Sequence, residues 1–508
     1  MEPTRCRGGR RSPVTQEEDE DIVSLFETDS WSAAVFTGRW TPAAGGDAPV
    51  VSPATGAEIG RAGSANAEDI SAAAERAAAA QRGWADTSFE ERAAVLRRAG
   101  ALLEENGDEI MAWLRRESGA APGMAGFQVH VAAAECYEAA ALASQPYGEV
   151  LRTGKPRLSF ARQVPAGVVG VIAPFNAPLI LSTRSVAPAL AVGNAVLLKP
   201  DPRTAVCGGA VLAEVFRRAG VPEGVFQMLP GGIEAGEQLV ADPNVRVISF
   251  TGSSAVGRKV GEAAGRYLKR VHLELGGNSP LVILDDVDLD AAVSTGAWGS
   301  FLHQGQICMT AGRHLVHERI ADEYVEKLAA KADALPVGDP DRDEVALGPL
   351  IDAGQRDKVH SMVTTSVDAG AKLVAGGTYE ELFYRPTVLD RVTMDAPAYA
   401  DEVFGPVAPV MRVSSVDDIA DIAKASPYGL SLGILTANPM RGMEIADRIP
   451  SGIVHINDQT VDDEAVAPFG GVGDSGTGSR FGGTRANIEA FTETQWVTMQ
   501  ADVARYPF

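Results

Sequence analysis

Cysteine is scarce in this chain of 508 residues. Its four copies, Cys6, Cys136, Cys207 and Cys308, are widely spaced and form no CxxC pair. That argues against a disulfide framework or a zinc site and fits a reducing compartment. No metal ligand set is expected. Positive charge is also in deficit: 45 Lys and Arg stand against 67 Asp and Glu, a net charge of −22. Such a chain repels phosphate backbones and anionic lipid, so neither nucleic acid nor a membrane is an expected partner. Long apolar runs are missing too. A bilayer span needs about 20 consecutive apolar residues. The longest candidate here, 168–181, is cut by Gly170, Pro174, Asn176 and Pro178. At the start, Arg5, Arg7, Arg10 and Arg11 lead into an acidic run at 17–21 with no apolar stretch between. Residues 1–30 therefore read as a solvated tail and not as a secretory leader. A soluble, cytoplasmic protein is expected.

What is plentiful is glycine (54) and proline (30), which punctuate many short elements. The length calls for two or more lobes. Residues 40–63 read as an irregular leading segment with short edge strands. Ala, Leu, Glu and Arg then favour helices over 67–84, 88–118 and 126–144, the second interrupted at Asn106-Gly107. From Val164 the pattern changes. Short apolar runs at 168–172, 195–198, 224–228 and 246–250 alternate with helical stretches at 179–191, 204–219, 234–241 and 255–268. Unbroken apolar strands spaced by helices predict a parallel sheet covered on both faces, an α/β doubly wound lobe. A second βα series starts at His272, with strands at 281–284 and 313–317 and helices after Asp288, at 321–334 and at 353–369. The lobe boundary is drawn near Gly276. A strand at 495–500 finds a candidate partner in 158–164, and peripheral strands of this kind commonly seek a neighbouring chain.

Four segments carry residues suited to chemistry. Gly252-Ser253-Ser254-Ala255-Val256-Gly257 sits between a strand and a helix but has neither a P-loop ending nor GxGxxG. It does offer free N–H groups at a helix N-terminus, which suit a pyrophosphate. Cys308 stands among Gly, Gln and Thr in 303–310, a loop composition and not that of a core strand. Glu274, in Leu273-Glu274-Leu275-Gly276-Gly277, is flanked by leucines and glycines. Partial burial there raises a carboxyl toward general-base duty. Asn176, after an apolar strand, has an amide that can serve an oxyanion, although an isolated Asn more often marks a turn.

In order and spacing these segments resemble the aldehyde dehydrogenase superfamily. The resemblance rests on Pro174–Asn176, Lys199-Pro200, Phe250–Ser253, Leu273–Gly277, Gly305–Cys308, Glu402–Val407 and Pro468–Gly471, and spans nearly the whole chain after the tail. It implies a cofactor-binding domain at 31–148 and 166–276, a catalytic domain at 277–473, and oligomerisation strands at 149–165 and 484–508. It implies Cys308 as covalent nucleophile, Asn176 with the Cys308 N–H as oxyanion donors, and Glu274 as the base that hydrolyses the thioester. CoA-acylating relatives generally lack that glutamate. The implied cofactor is NAD. Lys199 would hold the adenosine ribose, and Phe250, Gly252 and Ser253 the pyrophosphate turn. Glu402 would hold the nicotinamide ribose with Phe404 beside it, and Ile172 and Pro174 would line the same groove. Two positions depart from the pattern. Pro202 stands where NAD-preferring relatives usually carry Glu, which leaves NADP open. Arg480 stands where many relatives carry a proton-relaying Glu, so Glu274 would act alone or through water.

Residues 159–168, 185–190 and 199–204 are similar to the benzaldehyde and vanillin dehydrogenase branch. Ala177, a small residue after Asn176, leaves room for a planar ring, with Phe175, Ile307, Met309 and Phe469 as candidate pocket walls. An aliphatic aldehyde or semialdehyde is the alternative substrate, and a non-catalytic protein of the same fold is the alternative class. A homodimer or homotetramer is expected.

Overall fold

The computed structural model describes residues 24–26 and 30–508. Cys6 and most of the tail lie outside the described residues. Residues 24–26 differ from a solvated tail. Leu25 and Phe26 are buried, Phe26 meets Trp31 and Trp113 edge-on, and Ser24 Oγ and the Leu25 N–H both donate to Glu109 at 2.8 Å. Two apolar residues after a charged run were enough to dock the chain.

Two seven-stranded sheets form the lobes. The first runs Arg270–Glu274, Val245–Thr251, Val168–Ile172, Ala195–Lys199, Phe226–Met228, Ala34–Phe36, Trp40–Pro42. Its first five strands are parallel, with Ile172 opposite both Lys199 and Phe250. Chain order reverses on either side of Val168–Ile172, so a crevice opens at the carboxyl ends of these strands. Both faces are covered. The helix Pro178–Ala191 is buried along its whole length. On the other face Ala73, Ala74 and Ala77 of the helix Ala67–Asp86 are fully buried, their small side chains letting the helix approach the sheet closely. The stretch expected as one helix over 204–219 is broken into a 3-10 turn at Pro202–Thr204, a π turn at Val206–Ala210 and an α-helix at Val211–Ala219. Its cause is the buried Glu117 carboxylate, which accepts from the N–H groups of Val206 and Cys207 at 2.8 and 2.7 Å.

The second sheet runs Lys372–Ala375, Thr387–Asp390, Val407–Val413, Ala311–His317, Ser279–Ile283, Ser431–Leu435, Ile453–Ile456. It is parallel except for its first strand. Only four residues separate Glu274, at the end of the first sheet, from Ser279, at the start of the second. A third, antiparallel sheet joins Thr492–Met499, Leu158–Pro165 and Gly148–Val150, with Gln495 opposite Arg162. The helix Thr484–Phe491, grouped with these strands in the sequence reading, packs instead on the first lobe, where Phe491 is fully buried.

Asn194 stitches that helix down. Its Oδ1 accepts from Gly167 N at 2.8 Å, and its Nδ2 donates to Ala189 O at 3.1 Å and Phe491 O at 2.9 Å, the last two fully buried. Asn194→Ala orphans these groups, at about 1–3 kcal/mol for each buried group left unpaired. We expect a clear fall in the urea unfolding midpoint; a midpoint equal to wild type would show that the stitch contributes nothing.

Candidate active site

A cavity of about 700 Å³ lies against the helices Pro178–Ala191 and Leu289–Phe301, and Asn176, Ala177, Ile307, Cys308, Met309 and Phe469 all line it. Cys308 is on the short loop that enters the strand Ala311–His317. Just before it, His303, Gln304 and Gly305 take left-handed φ values of 51°, 56° and 66° in succession. Such a path is costly for residues with a Cβ and persists only where the surroundings over-determine it. Here they do. His303 Nε2 sits 2.6 Å from Asn176 O. Gln304 Nε2 donates to Gly119 O at 2.8 Å and Pro349 O at 3.0 Å, while Gln306 Oε1 accepts from Ile351 N at 3.1 Å. A Cβ on Gly305 would meet Gly405 O at 2.1 Å, so that position has no room for one.

Burial lowers the His303 pKa to about 4, so the ring is neutral. Its partner is a carbonyl, which can only accept, and this assigns the proton to Nε2. The backbone of Asn176 is thereby tied to the loop of Cys308. The Asn176 carboxamide has no hydrogen-bond partner among the described residues and lines the cavity, free to donate to an oxygen bound there.

Glu274 ends the strand Arg270–Glu274 and is 4% exposed. It is not among the residues that line the cavity; it lies against Gly470, where a Cβ would meet Glu274 Oε1 at 2.8 Å. Neither carboxyl oxygen has a hydrogen-bond partner. Burial lifts its pKa well above the usual carboxylate range, against the pull of Arg480, Arg184 and the nearby Gly471 N–H. The two glycines after it are sites of close approach. A Cβ on Gly276 would strike Glu402 Oε2 at 2.4 Å, and one on Gly277 would strike Cys308 O at 2.4 Å.

Two polar wall residues escaped the sequence reading. Arg184 is buried, paired with Glu135 at 3.0 Å and with Asp463, and lies 4.6 Å from the Phe469 ring centre. Its Nη1 has no partner. Arg184 and Asp463 both line the cavity. The signal was available: an arginine in a helix whose neighbouring segments are apolar, Leu179–Leu181 and Val186–Leu190, needs a buried counter-charge.

The dinucleotide crevice lies on the other side. Ile172 closes its strand, Pro174 follows, and Lys199 ends the neighbouring strand, buried enough to lower its pKa. Lys199 has no ion-pair or hydrogen-bond partner among the described residues, and its Cε runs beside Gly236, where a Cβ would come within 3.6 Å. Ser253 caps the helix Ser254–Arg266, leaving first-turn N–H groups open toward an anion. Gly252 packs on the Phe250 ring, 2.6 Å from where a Cβ would sit. Glu402 accepts from Gly277 N at 3.0 Å, with burial raising its pKa to about 7. Phe404 takes a left-handed φ of 56° and meets Phe175 edge-on at 5.8 Å. This unpartnered lysine, open helix start and buried carboxylate fit a nicotinamide dinucleotide. Phe175 corrects the sequence reading: it is not a wall of the cavity but lies in this crevice, with Arg203 stacked over it at 4.2 Å. Arg203 is itself held by Asp201 at 2.8 Å and Asp352 at 2.6 Å.

Burial is also the main reason the Cys308 thiol resists ionisation; Glu402, Glu274 and Asp463 push its pKa further up and Arg184 pulls it down. The thiolate is the reactive form, so its fraction grows with pH throughout the range below that raised value. We expect alkylation of Cys308 by iodoacetamide in the cofactor-free protein, followed by peptide mass spectrometry, to accelerate roughly tenfold per pH unit between about pH 7 and 9. A plateau below pH 8 would contradict this.

A sequence model of the aldehyde dehydrogenase family matches residues 40–497. Over 486 residues the chain is 67% identical to a vanillin dehydrogenase of Amycolatopsis sp., covering 96% of this chain and 100% of that protein. It is 49% identical over 479 residues to a benzaldehyde dehydrogenase (NAD(+)) of Pseudomonas putida, covering 94% and 98%. Among solved structures, a salicylaldehyde dehydrogenase from Pseudomonas putida G7, complexed with salicylaldehyde, superposes with a TM-score of 0.90 at 35% identity, covering 94% of this chain and 99% of that one.

Proposed function

This chain belongs to the aldehyde dehydrogenase family, and we propose that it oxidises an aromatic aldehyde to the carboxylic acid with Cys308 as nucleophile, Asn176 as oxyanion donor, Glu274 as deacylating base and NAD as cofactor. The observation that carries this reading is the convergence of a partnerless amide and a thiol on a cavity walled by Ile180, Leu181, Phe301, Ile307, Met309 and Phe469. Cys308, having lost its proton, bonds through sulfur to the carbonyl carbon. The oxyanion is met by the Asn176 amide and the Cys308 N–H. The bound dinucleotide supplies a hydride acceptor, so that a thioester is left on Cys308. Glu274 takes a proton from water, the water oxygen bonds to the acyl carbon, and the carbon–sulfur bond breaks to release the acid.

Aromatic substrates are supported by the apolar walls, by the small Ala177, and by the names of the relatives, which are vanillin, benzaldehyde and salicylaldehyde dehydrogenases. NAD is supported by the name of the Pseudomonas relative and by the engagement of Arg203. With Asp201 and Asp352 already on its guanidinium, no free arginine stands beside Pro202 for a 2′-phosphate. A homo-oligomer is part of the same proposal: the strand Thr492–Met499 is an edge of its sheet, with Trp496 and Met499 exposed. So is a cytoplasmic setting, which the free thiols of Cys136, Cys207 and Cys308 suit. No helix among the described residues is long and apolar enough to cross a membrane.

The test is reduced-nicotinamide absorbance with benzaldehyde, vanillin and a linear aldehyde, each with NAD and with NADP. We expect turnover with the aromatic aldehydes and NAD, none in Cys308→Ala, and a loss on the order of 10²–10³ in Asn176→Ala. Glu274→Gln should give a burst of one reduced cofactor per site and then slow release. No aldehyde turnover in wild type, or turnover surviving Cys308→Ala, sinks the mechanism; preference for the linear aldehyde sinks only the substrate assignment.

A further inference from the structure

The carboxyl of Glu274 is buried with both oxygens unpartnered, an arrangement that favours the neutral acid and leaves a base unable to accept a proton. Three charged or titratable groups face it: Arg184 from the helix Pro178–Ala191, the Cys308 thiol from its loop, and Arg480 from the segment after Phe469. Arg184 is already shared between Glu135 and Asp463. Arg480 has no ion-pair partner among the described residues. It is half-buried, and its Nη1 donates to Gly471 O at 3.1 Å and to Ser479 O at 2.9 Å. The narrow gap at Gly470 brings it to the base: one point, the place of an absent Cβ, is 2.8 Å from Glu274 Oε1 and 2.9 Å from Arg480 Cδ.

We propose that Arg480 is a positioning residue for the deacylating base, its cation opposing protonation of the Glu274 carboxyl and its two backbone hydrogen bonds holding the Gly470-Gly471 turn against that carboxyl. The proposal rests on the reading of Glu274 as the base. In the step it serves, a proton passes from water to a Glu274 oxygen, the water oxygen bonds to the acyl carbon, and the sulfur of Cys308 leaves with the electrons of the broken bond. A cation beside the carboxylate opposes its protonation by solvent, so the base stays competent to lower pH; the same charge speeds loss of the proton it has just taken. Where a chain has an acid at this place, that residue can pass the proton on. Arg480 cannot, and acts instead through its field and its grip on the turn.

The test isolates deacylation. Cys308 is acylated with 4-nitrophenyl benzoate, and decay of the acyl-enzyme is followed by intact-protein mass spectrometry across pH, without cofactor. In wild type the rate should fall on the acid side as Glu274 is protonated. In Arg480→Gln that acid limb should move up by about one pH unit, the low end for loss of an opposite charge at this range, with the alkaline plateau changed much less. Arg480→Lys keeps the charge but lacks the guanidinium fork, and should keep the limb close to wild type while slowing the plateau. A folded Arg480→Gln with the wild-type limb overturns the proposal. Should that variant not fold, Arg480→Lys decides alone: a limb displaced by a full unit despite the retained charge overturns it as well. An acid limb that persists in Glu274→Gln overturns the assignment of the base itself, a result separable from either.

Discussion

There is no room for a side chain at Gly276-Gly277. On one side of this dipeptide the Glu402 carboxylate presses to 2.4 Å of where a Cβ would be, and on the other the Cys308 carbonyl does the same. The strand that ends in Glu274 must pass between them to start the second sheet at Ser279. Three groups are thus fixed against one stretch of backbone: Glu274 two residues before it, the Cys308 loop against its second glycine, and the Glu402 carboxylate hydrogen-bonded to that glycine's N–H. The relation between cofactor crevice and thiol is set by steric exclusion and not by a flexible linker. A single methyl group at either glycine would push apart elements that chemistry needs within bonding reach.

Around that junction the ionisable groups are held largely away from solvent, and their ionisation states follow from it. The thiol, Glu274, Glu402 and Glu135 are all driven toward their neutral forms chiefly by burial. Mainly apolar walls suit an uncharged aldehyde. Where a full charge does sit deep in the wall it is paired, as Arg184 is with Glu135 and Asp463, because breaking a buried ion pair leaves a costly lone ion. Each arginine near the base has a different duty. Arg184 neutralises carboxylates in the cavity wall, whereas Arg480 spends its hydrogen bonds on backbone and leaves its charge for Glu274.

Much of this was legible in the residues. Apolar runs between glycines and prolines located the parallel strands, because strands covered on both faces need no polar alternation. The motif residues around Asn176, Glu274 and Cys308 marked the places where backbone approaches backbone. What stayed hidden depended on contacts distant in sequence. The break in the stretch after Pro202 follows from Glu117, about ninety residues earlier, accepting two amide protons. Phe175 was read as a wall of the substrate pocket, yet successive residues of a turn point in different directions, and its ring packs with Arg203 and Phe404. Arg184 drew no notice in the sequence because its partners, Glu135 and Asp463, come from two other segments.

The left-handed run at His303, Gln304 and Gly305 raises the question of what sustains it. Each non-glycine residue in such a region costs on the order of 1–3 kcal/mol. Against this stand the hydrogen bonds of His303, Gln304 and Gln306 to Asn176, Gly119, Pro349 and Ile351, each contributing about 0.5–1.5 kcal/mol net. The two sides are comparable, so the loop is not held by a large surplus. It is held by number and direction: the bonds reach three separate segments, and no small rotation of the loop satisfies them all elsewhere. A nucleophile placed this way keeps its position before any substrate arrives. The strain is confined to the residues just ahead of Cys308, and the thiol's own backbone remains free to offer its N–H to the oxygen of a bound aldehyde.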